Sequence, residues 1–200
     1  MKKRGAGEIF DGIRREAGDY YSRFWAKNKA ALTAVLGAAA IAVVLGVIAG
    51  ASNAERYIAD DYFLLRGAGT LAGGRRFAVN FLLHTAYFAV VYVTVVNFYC
   101  SAAGFITVAA VAFKLGASAA SLVAISGLGG FINALVIYLP VNAAVITCLT
   151  GYLLVCIENS GLKKRGVKYR EPRYSNAAKQ LVYFLTPALL VDLAAFVLIL

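Results

Sequence analysis

Charged residues are scarce in this sequence: Asp, Glu, Lys and Arg make up 15% of its 200 residues, whereas apolar residues make up 61%. Between Phe77 and Ile157 there is no Asp, Glu or Arg, and Lys114 is the only lysine. The mean hydropathy of +0.73 is far above that of a soluble globular domain. The composition therefore excludes an ordinary soluble protein and predicts one embedded in a membrane.

Metal-ligating and catalytic side chains are also rare. The chain has one histidine and three cysteines, Cys100, Cys148 and Cys156, which lie in or beside apolar segments without a C-x-x-C spacing. Because structural zinc needs four such ligands at close spacing, we predict no metal site, and nothing else in the chain suggests a cofactor. The H-E-x-x-H, G-x-S-x-G and Walker motifs are missing as well. We therefore expect a protein that is not an enzyme.

The apolar residues form five segments, each long enough to cross the hydrocarbon core of a bilayer as a helix of about 20 residues. The long uncharged block holds three of these segments, because Gly- and Ser-containing stretches at 101–104 and 126–130 predict turns. The predicted fold is all-α, a polytopic integral membrane helical bundle of about five transmembrane helices. Its spans are predicted at about 30–51, 78–100, 104–125, 131–157 and 181–200.

The placement of basic residues sets the predicted orientation. Lys and Arg number eight in 1–29 and seven in 158–180, but only four, against three acidic residues, in 52–76. Because cytoplasmic flanks retain Lys and Arg, we expect a cytoplasmic N-terminus, a basic cytoplasmic loop at 158–180 and an outer loop at 52–76. This rule, with attraction to anionic membrane lipid, explains the net charge of +10, so no nucleic-acid partner is expected. The predicted location is the cell membrane.

The cytoplasmic basic segment 1–29 precedes the transmembrane domain 30–200 and has a helical periodicity of its own. Ile9, Phe10, Ile13, Tyr20 and Phe24 recur near every 3.6 residues, with most charged residues between them. This pattern is typical of an amphipathic helix that lies in the cytoplasmic membrane interface. A solvated extension of the first span is the alternative interpretation.

Two charged residues lie inside the predicted spans. Lys114 is in the third span, on the same helix side as Ser118 and opposite a stripe of small residues; Asp192 is the only acidic residue in any span. A lysine facing lipid at mid-membrane costs roughly 2.5 to 3.5 kcal/mol, so Lys114 should point into the bundle. Similar depth and opposite sign predict a buried Lys114–Asp192 pair that locks the third helix to the fifth. Such a pair is either a structural clamp or part of an ion or proton relay.

Other polar residues and two prolines mark the interior of the predicted bundle. Asn80 and His84 share one face of the second helix, where interhelical hydrogen bonding is preferred over proton handling. Pro140 and Pro187 each remove a backbone N–H and predict kinks in the fourth and fifth helices. Asn142, beside Pro140, either satisfies freed backbone groups or lines a substrate path. The residues predicted to line the polar interior are His84, Asn80, Asn142 and Ser118.

The first span contains Gly46 and Gly50, a small-xxx-small spacing that lets a second helix approach closely. This contact either joins two copies of the chain into a homo-oligomer or packs within one bundle. The sequence leaves both possibilities open.

Several short motifs give the chain a resemblance to a known family. A basic N-terminus, one span and an outer loop precede a helix that opens "RFAVNFLLH", then "FKLG" in a helix of small residues, and "GLGGF" running into "YLPVN" at 138–142. Over roughly residues 28 to 200 the chain resembles the stage II sporulation protein M family, integral membrane proteins of endospore-forming bacteria.

The resemblance implies a non-enzymatic membrane scaffold of the engulfment machinery. Proteins similar to this one act with a lytic transglycosylase and an amidase-endopeptidase, which remodel peptidoglycan during endospore formation. The chain would recruit or position such cell-wall hydrolases on its outer face. The expected contact residues in the outer loop are Tyr57, Asp60, Asp61, Tyr62 and Phe63.

The competing hypothesis is a subunit of a small-solute or ion permease. In that case Lys114 and Asp192, with His84 and Asn142, line a path through the membrane. A permease loses transport when Lys114 is replaced and the fold is intact, whereas a scaffold keeps its partners as long as it folds.

Overall fold

The computed structural model describes residues 6–54, 71–161 and 171–199 of the chain. All regular elements in these ranges are helical, in agreement with the predicted all-α class. Two 3-10 turns, Val93–Val95 and Phe98–Cys100, follow the second helix, and a π-helix, Ala134–Tyr138, joins the third helix to the fourth. The α-helices are α1 (Ala6–Ser52), α2 (Leu71–Tyr92), α3 (Ser101–Asn133), α4 (Leu139–Asn159) and α5 (Tyr174–Ile199).

Three stretches of the described chain are long and apolar enough to cross a membrane, Gly18–Ser52, Phe98–Asn159 and Tyr174–Ala195. A shorter apolar helix covers Phe81–Val95. Large aliphatic side chains point away from the bundle on these helices; Ile41 and Ile48 on α1 are 65% and 60% exposed. Such a continuous apolar surface is consistent with a protein that is surrounded by lipid.

The helix of the second predicted span ends earlier than the sequence indicates. Regular α2 stops at Tyr92, and Asn97 has an extended backbone with φ −154° and ψ 146°. Its side chain accepts a hydrogen bond from the Tyr99 N–H, which begins the next helical turn. The freed backbone groups bond to the end of α4, because Phe98 N–H donates to Gly161 O and Gly161 N–H donates to Val95 O. The break therefore lies at 93–97, just before the predicted turn.

The chain reverses direction at Gly127 within the helix named α3. Gly127 has φ 56° and ψ −132°, a backbone conformation that residues with a Cβ rarely adopt. After this reversal the backbone at Gly130 packs directly against the backbone at Leu122, in the helix before the turn. A Cβ on Gly130 would lie 2.1 Å from the carbonyl oxygen of Leu122. The turn predicted at 126–130 is therefore present as a tight helical hairpin.

The most extensive helix contact in the bundle is between α1 and α3. A Cβ on Gly50 would lie 2.1 Å from the Ala117 carbonyl oxygen, and one on Gly116 would lie 2.0 Å from that of Val43. Gly46 meets the turn around Phe113 in the same way, so the two helices run parallel with their backbones in contact. The Gly46–Gly50 spacing thus packs within one chain.

The centre of the bundle is formed by α2, α4 and α5. Tyr152 and Phe88 are fully buried, with ring centroids 5.7 Å apart, and Phe184 of α5 packs against Tyr152 at 6.2 Å. The Tyr152 hydroxyl donates to the backbone oxygen of Ala177 at 3.4 Å, so its polar end is satisfied inside the core. This cluster holds together the C-terminal ends of α2 and α4 and the N-terminal half of α5.

Helix α1 runs without interruption through the boundary predicted at residue 29. Phe24 is buried, and Tyr20 stacks on Tyr183 of α5 with ring centroids 4.6 Å apart. The aromatic face predicted to lie in lipid therefore packs against protein, at least from Tyr20 onward. Over its described residues, from Ala6 onward, segment 1–29 is continuous with the first span.

Candidate functional site

A buried polar contact of the bundle joins α2 and α5. His84 Nδ1 lies 2.5 Å from Asp192 Oδ2, within hydrogen-bond distance, and the two side chains are only 11% and 8% exposed. The ring of Tyr87 lies 6.1 Å from that of His84, one turn further along α2. A pair this well shielded is strongly coupled, and loss of either partner leaves the other unsatisfied.

The sequence predicts that Asp192 pairs with Lys114. In the structure, Asp192 pairs with His84. The cause is helix adjacency: α5 packs against α2 and α4, whereas α3, which carries Lys114, packs chiefly against α1. Depth and charge sign matched Lys114 to Asp192, but neither property indicates which helices are neighbours. Lys114 itself is half-buried on α3 and makes interactions of its own.

The remaining residues of the predicted polar interior lie apart from this pair. Ser118 is buried on α3, and nearby Ser121 donates to the backbone oxygens of Ala117 at 2.8 Å and Gly50 at 3.3 Å. Asn80 belongs to α2, but its side chain lies outside the described part of the structure. His84, Ser118 and Asn142 thus lie on three different helices of the described chain, α2, α3 and α4.

Pro140 and Pro187 perturb their helices in different ways. Pro140 lies in the first turn of α4, directly after the π-helix Ala134–Tyr138, where a missing N–H is tolerated. Asn142 donates its side-chain amide to the Tyr138 carbonyl at 2.9 Å. This carbonyl lies four residues before Asn142 and is not the one that Pro140 leaves without a donor, which is the carbonyl of Val136.

Pro187 lies inside α5 and deprives the carbonyl of Tyr183 of its usual helical donor. The hydroxyl of Tyr21, on α1, donates to that same carbonyl oxygen. A backbone group opened by a proline within an apolar helix is thus satisfied by a side chain of another helix. The contact ties the first helix to the last.

A cleft of about 460 Å³ opens where α1, α4 and α5 meet. Lys27 and Glu158 form an ion pair across it, with 3.1 Å between Nζ and Oε1, and both side chains are substantially exposed. The hydroxyl of Tyr20 is buried in the cleft wall without a hydrogen-bond partner. The lining residues are Glu16, Asp19, Tyr20, Arg23, Phe24, Lys27, Glu158 and Gln180.

The sequence does not predict this cleft, because segment 1–29 is expected to lie in the membrane interface rather than against the ends of α4 and α5. The usable signal was the spacing of its charged residues, since Glu16, Asp19, Arg23 and Lys27 recur every three or four residues on one side of α1. The cleft forms only because α1 continues beyond the predicted boundary and meets the ends of α4 and α5.

The predicted partner contacts of the outer loop and the metal-ligating side chains differ in how far the structure describes them. The expected partner contacts Tyr57, Asp60, Asp61, Tyr62 and Phe63 all lie outside the described residues. Within the described ranges, no group of three or more His, Cys, Asp or Glu side chains could hold a metal ion. The three cysteines are free; Cys100 and Cys148 are half-buried and Cys156 is buried.

Comparison with known protein families, with characterised proteins and with solved structures finds no match to this chain.

Proposed function

We propose that the chain is a multi-pass membrane scaffold with five spans. The helical stretch Phe98–Asn159 would be roughly 90 Å long if straight, about three times the thickness of a hydrocarbon core. The reversal at Gly127 divides it into two helices of spanning length. With α1, α5 and the shorter helix around Phe81–Val95, these make five crossings.

The proposed orientation has the N-terminus in the cytoplasm. The two segments richest in Lys and Arg, 1–29 and 158–180, then lie on the same side, as the positive-inside rule requires. Contacts between the ends of the helices support this assignment, since Lys27 of α1 pairs with Glu158 of α4. The hairpin at Gly127 and the C-terminal end of α5 then face outward.

The observation that carries the scaffold proposal is the internal satisfaction of polar groups between the helices. His84 binds Asp192, Ser121 donates to Gly50 O on α1, and Tyr21 donates to Tyr183 O on α5. Each of these contacts joins two different helices. Side chains used in this way hold a bundle in one arrangement, which is what a scaffold needs.

The identity of the partners rests on the sequence resemblance alone. By analogy with the stage II sporulation protein M family, we propose that the outer loop 52–76 positions peptidoglycan-degrading enzymes during engulfment. The aromatic and acidic residues of that loop, Tyr57, Asp60, Asp61, Tyr62 and Phe63, are the proposed contacts. Membrane lipid surrounds the spans, and the chain needs no cofactor for this role.

Crosslinking in sporulating cells of the source strain, followed by mass spectrometry, tests the partner proposal. Cell-wall hydrolases should be captured by the native chain and lost when Tyr62 and Phe63 are both replaced by Ser. A matched control replaces Ile41 and Ile48, on the lipid-facing side of α1, by Ala. Capture that is unaffected by the loop substitutions, or absence of any wall hydrolase, would refute the proposed role.

Cysteine accessibility tests the five-span topology separately. In a background without the native cysteines, Leu128→Cys at the hairpin should react with a membrane-impermeant maleimide added to intact cells. Arg173→Cys, before α5, should react only after the cells are permeabilised. The reverse pattern would contradict the proposed orientation, and labelling of both sites in intact cells would contradict the number of spans.

A permease subunit is the second candidate, and the His84–Asp192 pair is the specific observation that favours it. Ionisable groups inside a membrane often belong to ion or proton paths. Purified protein in liposomes should then take up solute or protons, and Asp192→Asn should abolish the flux without unfolding the bundle. Flux at the level of empty liposomes would leave the scaffold as the better assignment.

A further inference from the structure

We propose that the cytoplasmic cleft binds the headgroup of phosphatidylethanolamine, a phospholipid that carries a phosphate followed by a primary ammonium group. The cleft is the one between α1, α4 and α5, lined by residues from Glu16 to Gln180. The inference rests on the membrane embedding and orientation proposed above. It does not depend on the scaffold role or on its partners.

The position of the cleft relative to the membrane is the first argument. Lys27, Glu158 and Gln180 all line it, and they lie at the predicted cytoplasmic edges of the first, fourth and fifth spans. Because the edges of three spans meet at this cleft, the part of the cleft nearest the membrane lies in the lipid headgroup layer. The rest of the cleft extends from there toward the cytoplasm along α1.

The order of charges along α1 is the second argument. Lys27 and Arg23 lie nearer the membrane, and Asp19 and Glu16 follow further out. Asp19 and Arg23 are one helical turn apart, about 6 Å along the axis. In phosphatidylethanolamine the phosphate is attached to the glycerol, close to the acyl chains, and the ammonium extends two carbons beyond it. Along α1 the two orders of charge are complementary, and Glu158, which also lines the membrane end of the cleft, is paired there with Lys27.

Charged groups that are open to a ligand are the third argument. Lys27 and Glu158 pair with each other, whereas Glu16, Asp19 and Arg23 are exposed and form no ion pair within the described residues. The Tyr20 hydroxyl has no hydrogen-bond partner in the same part of the chain, but it is shielded from solvent and so lies behind the cleft wall.

These charged groups match the headgroup one by one. The Arg23 guanidinium can bind two phosphate oxygens at once. The Asp19 and Glu16 carboxylates can accept hydrogen bonds from the ammonium. A purely anionic headgroup such as that of phosphatidylglycerol would leave both carboxylates unpaired next to a like charge. A choline headgroup has no N–H to donate to them.

Native mass spectrometry of the full-length protein in detergent measures this selectivity directly. The probes are dioleoyl phosphatidylethanolamine, phosphatidylglycerol and phosphatidylcholine, and free phosphoethanolamine without acyl chains. Phosphatidylethanolamine should bind about tenfold more tightly than either other lipid, the effect of one lost charge-assisted hydrogen bond. Free phosphoethanolamine should bind far more weakly, because the lipid is anchored in the membrane phase.

Substitutions in the cleft separate specific binding from general attraction to lipid. Arg23→Gln and Asp19→Asn should each lower the affinity for phosphatidylethanolamine about tenfold. Arg15→Gln is the matched control, since Arg15 is an exposed arginine on α1 outside the cleft. It removes the same charge and should leave the affinity unchanged.

Three results would overturn the inference. Equal binding of phosphatidylglycerol would show that the acidic residues play no part, and equal binding of free phosphoethanolamine would show that the ligand is soluble. An equal loss with Arg15→Gln and Arg23→Gln would show only a general effect of positive charge. Loss of wall-hydrolase capture would bear on the scaffold role alone, whereas cytoplasmic labelling of the hairpin would remove the basis of both.

Discussion

The close contact between α1 and α3 makes a sharp prediction about two glycines of the same helix. A methyl group at Gly50 would lie 2.1 Å from the Ala117 carbonyl oxygen, whereas one at Gly37 would meet no atom within 4 Å. Gly50→Ala therefore forces the two backbones apart by roughly 1 Å, because neither belongs to a movable side chain. Gly37→Ala changes only the helix itself, where Ala is favoured over Gly by up to about 1 kcal/mol.

The magnitude follows from the same contact. Overpacking of a well-packed interface typically costs about 1 to 3 kcal/mol, and here the obstacle is backbone. We expect Gly50→Ala to lower the free energy of unfolding by about 2 kcal/mol and Gly37→Ala to leave it unchanged or slightly higher. Unfolding in SDS, followed by circular dichroism in mixed micelles, measures both. If the two variants unfold at the same SDS fraction, the parallel α1–α3 contact is wrong.

Two further predictions concern contacts between helices. His84→Leu or Asp192→Leu alone should lower the free energy of unfolding by about 3 kcal/mol, whereas the double variant should lose less than either single change. SDS titration of the four proteins measures this coupling, and strictly additive losses would contradict the pair. Tyr21→Phe should cost about 1 kcal/mol, because it removes the donor to the Tyr183 carbonyl. With Pro187→Ala the helix supplies its own donor, so the cost of Tyr21→Phe should fall; an equal cost in both backgrounds would refute the assignment.

Local features of the fold could be predicted because the local sequence determines them. The hairpin at 126–130 follows from glycine, which alone adopts the backbone of Gly127 without strain. The opened carbonyl at Tyr183 follows from Pro187, since proline has no N–H to donate. Both predictions need only the residues within one or two turns of helix.

Features that depend on which helices are neighbours could not be predicted in the same way. Lys114 and Asp192 match in depth and charge, yet Asp192 binds His84, because α5 packs against α2 while α3 packs chiefly against α1. Hydropathy indicates how deep a residue lies but carries no information on the order of helices around the bundle. The cleft between α1, α4 and α5 escaped prediction for the same reason, since it requires α1 to meet the ends of α4 and α5.

The parallel contact of α1 with α3 has a consequence for synthesis of the protein. The first helix to leave the ribosome finds its main partner only after the intervening helix α2 and most of α3 have been translated and inserted. Until then the glycine face of α1, at Gly46 and Gly50, is open to other occupants of the translocon or the bilayer. Its aromatic end waits longer still, because Tyr183 arrives with the last helix. Helix α1 is therefore synthesised first, but its contacts with the other helices are complete only when α5 has been synthesised.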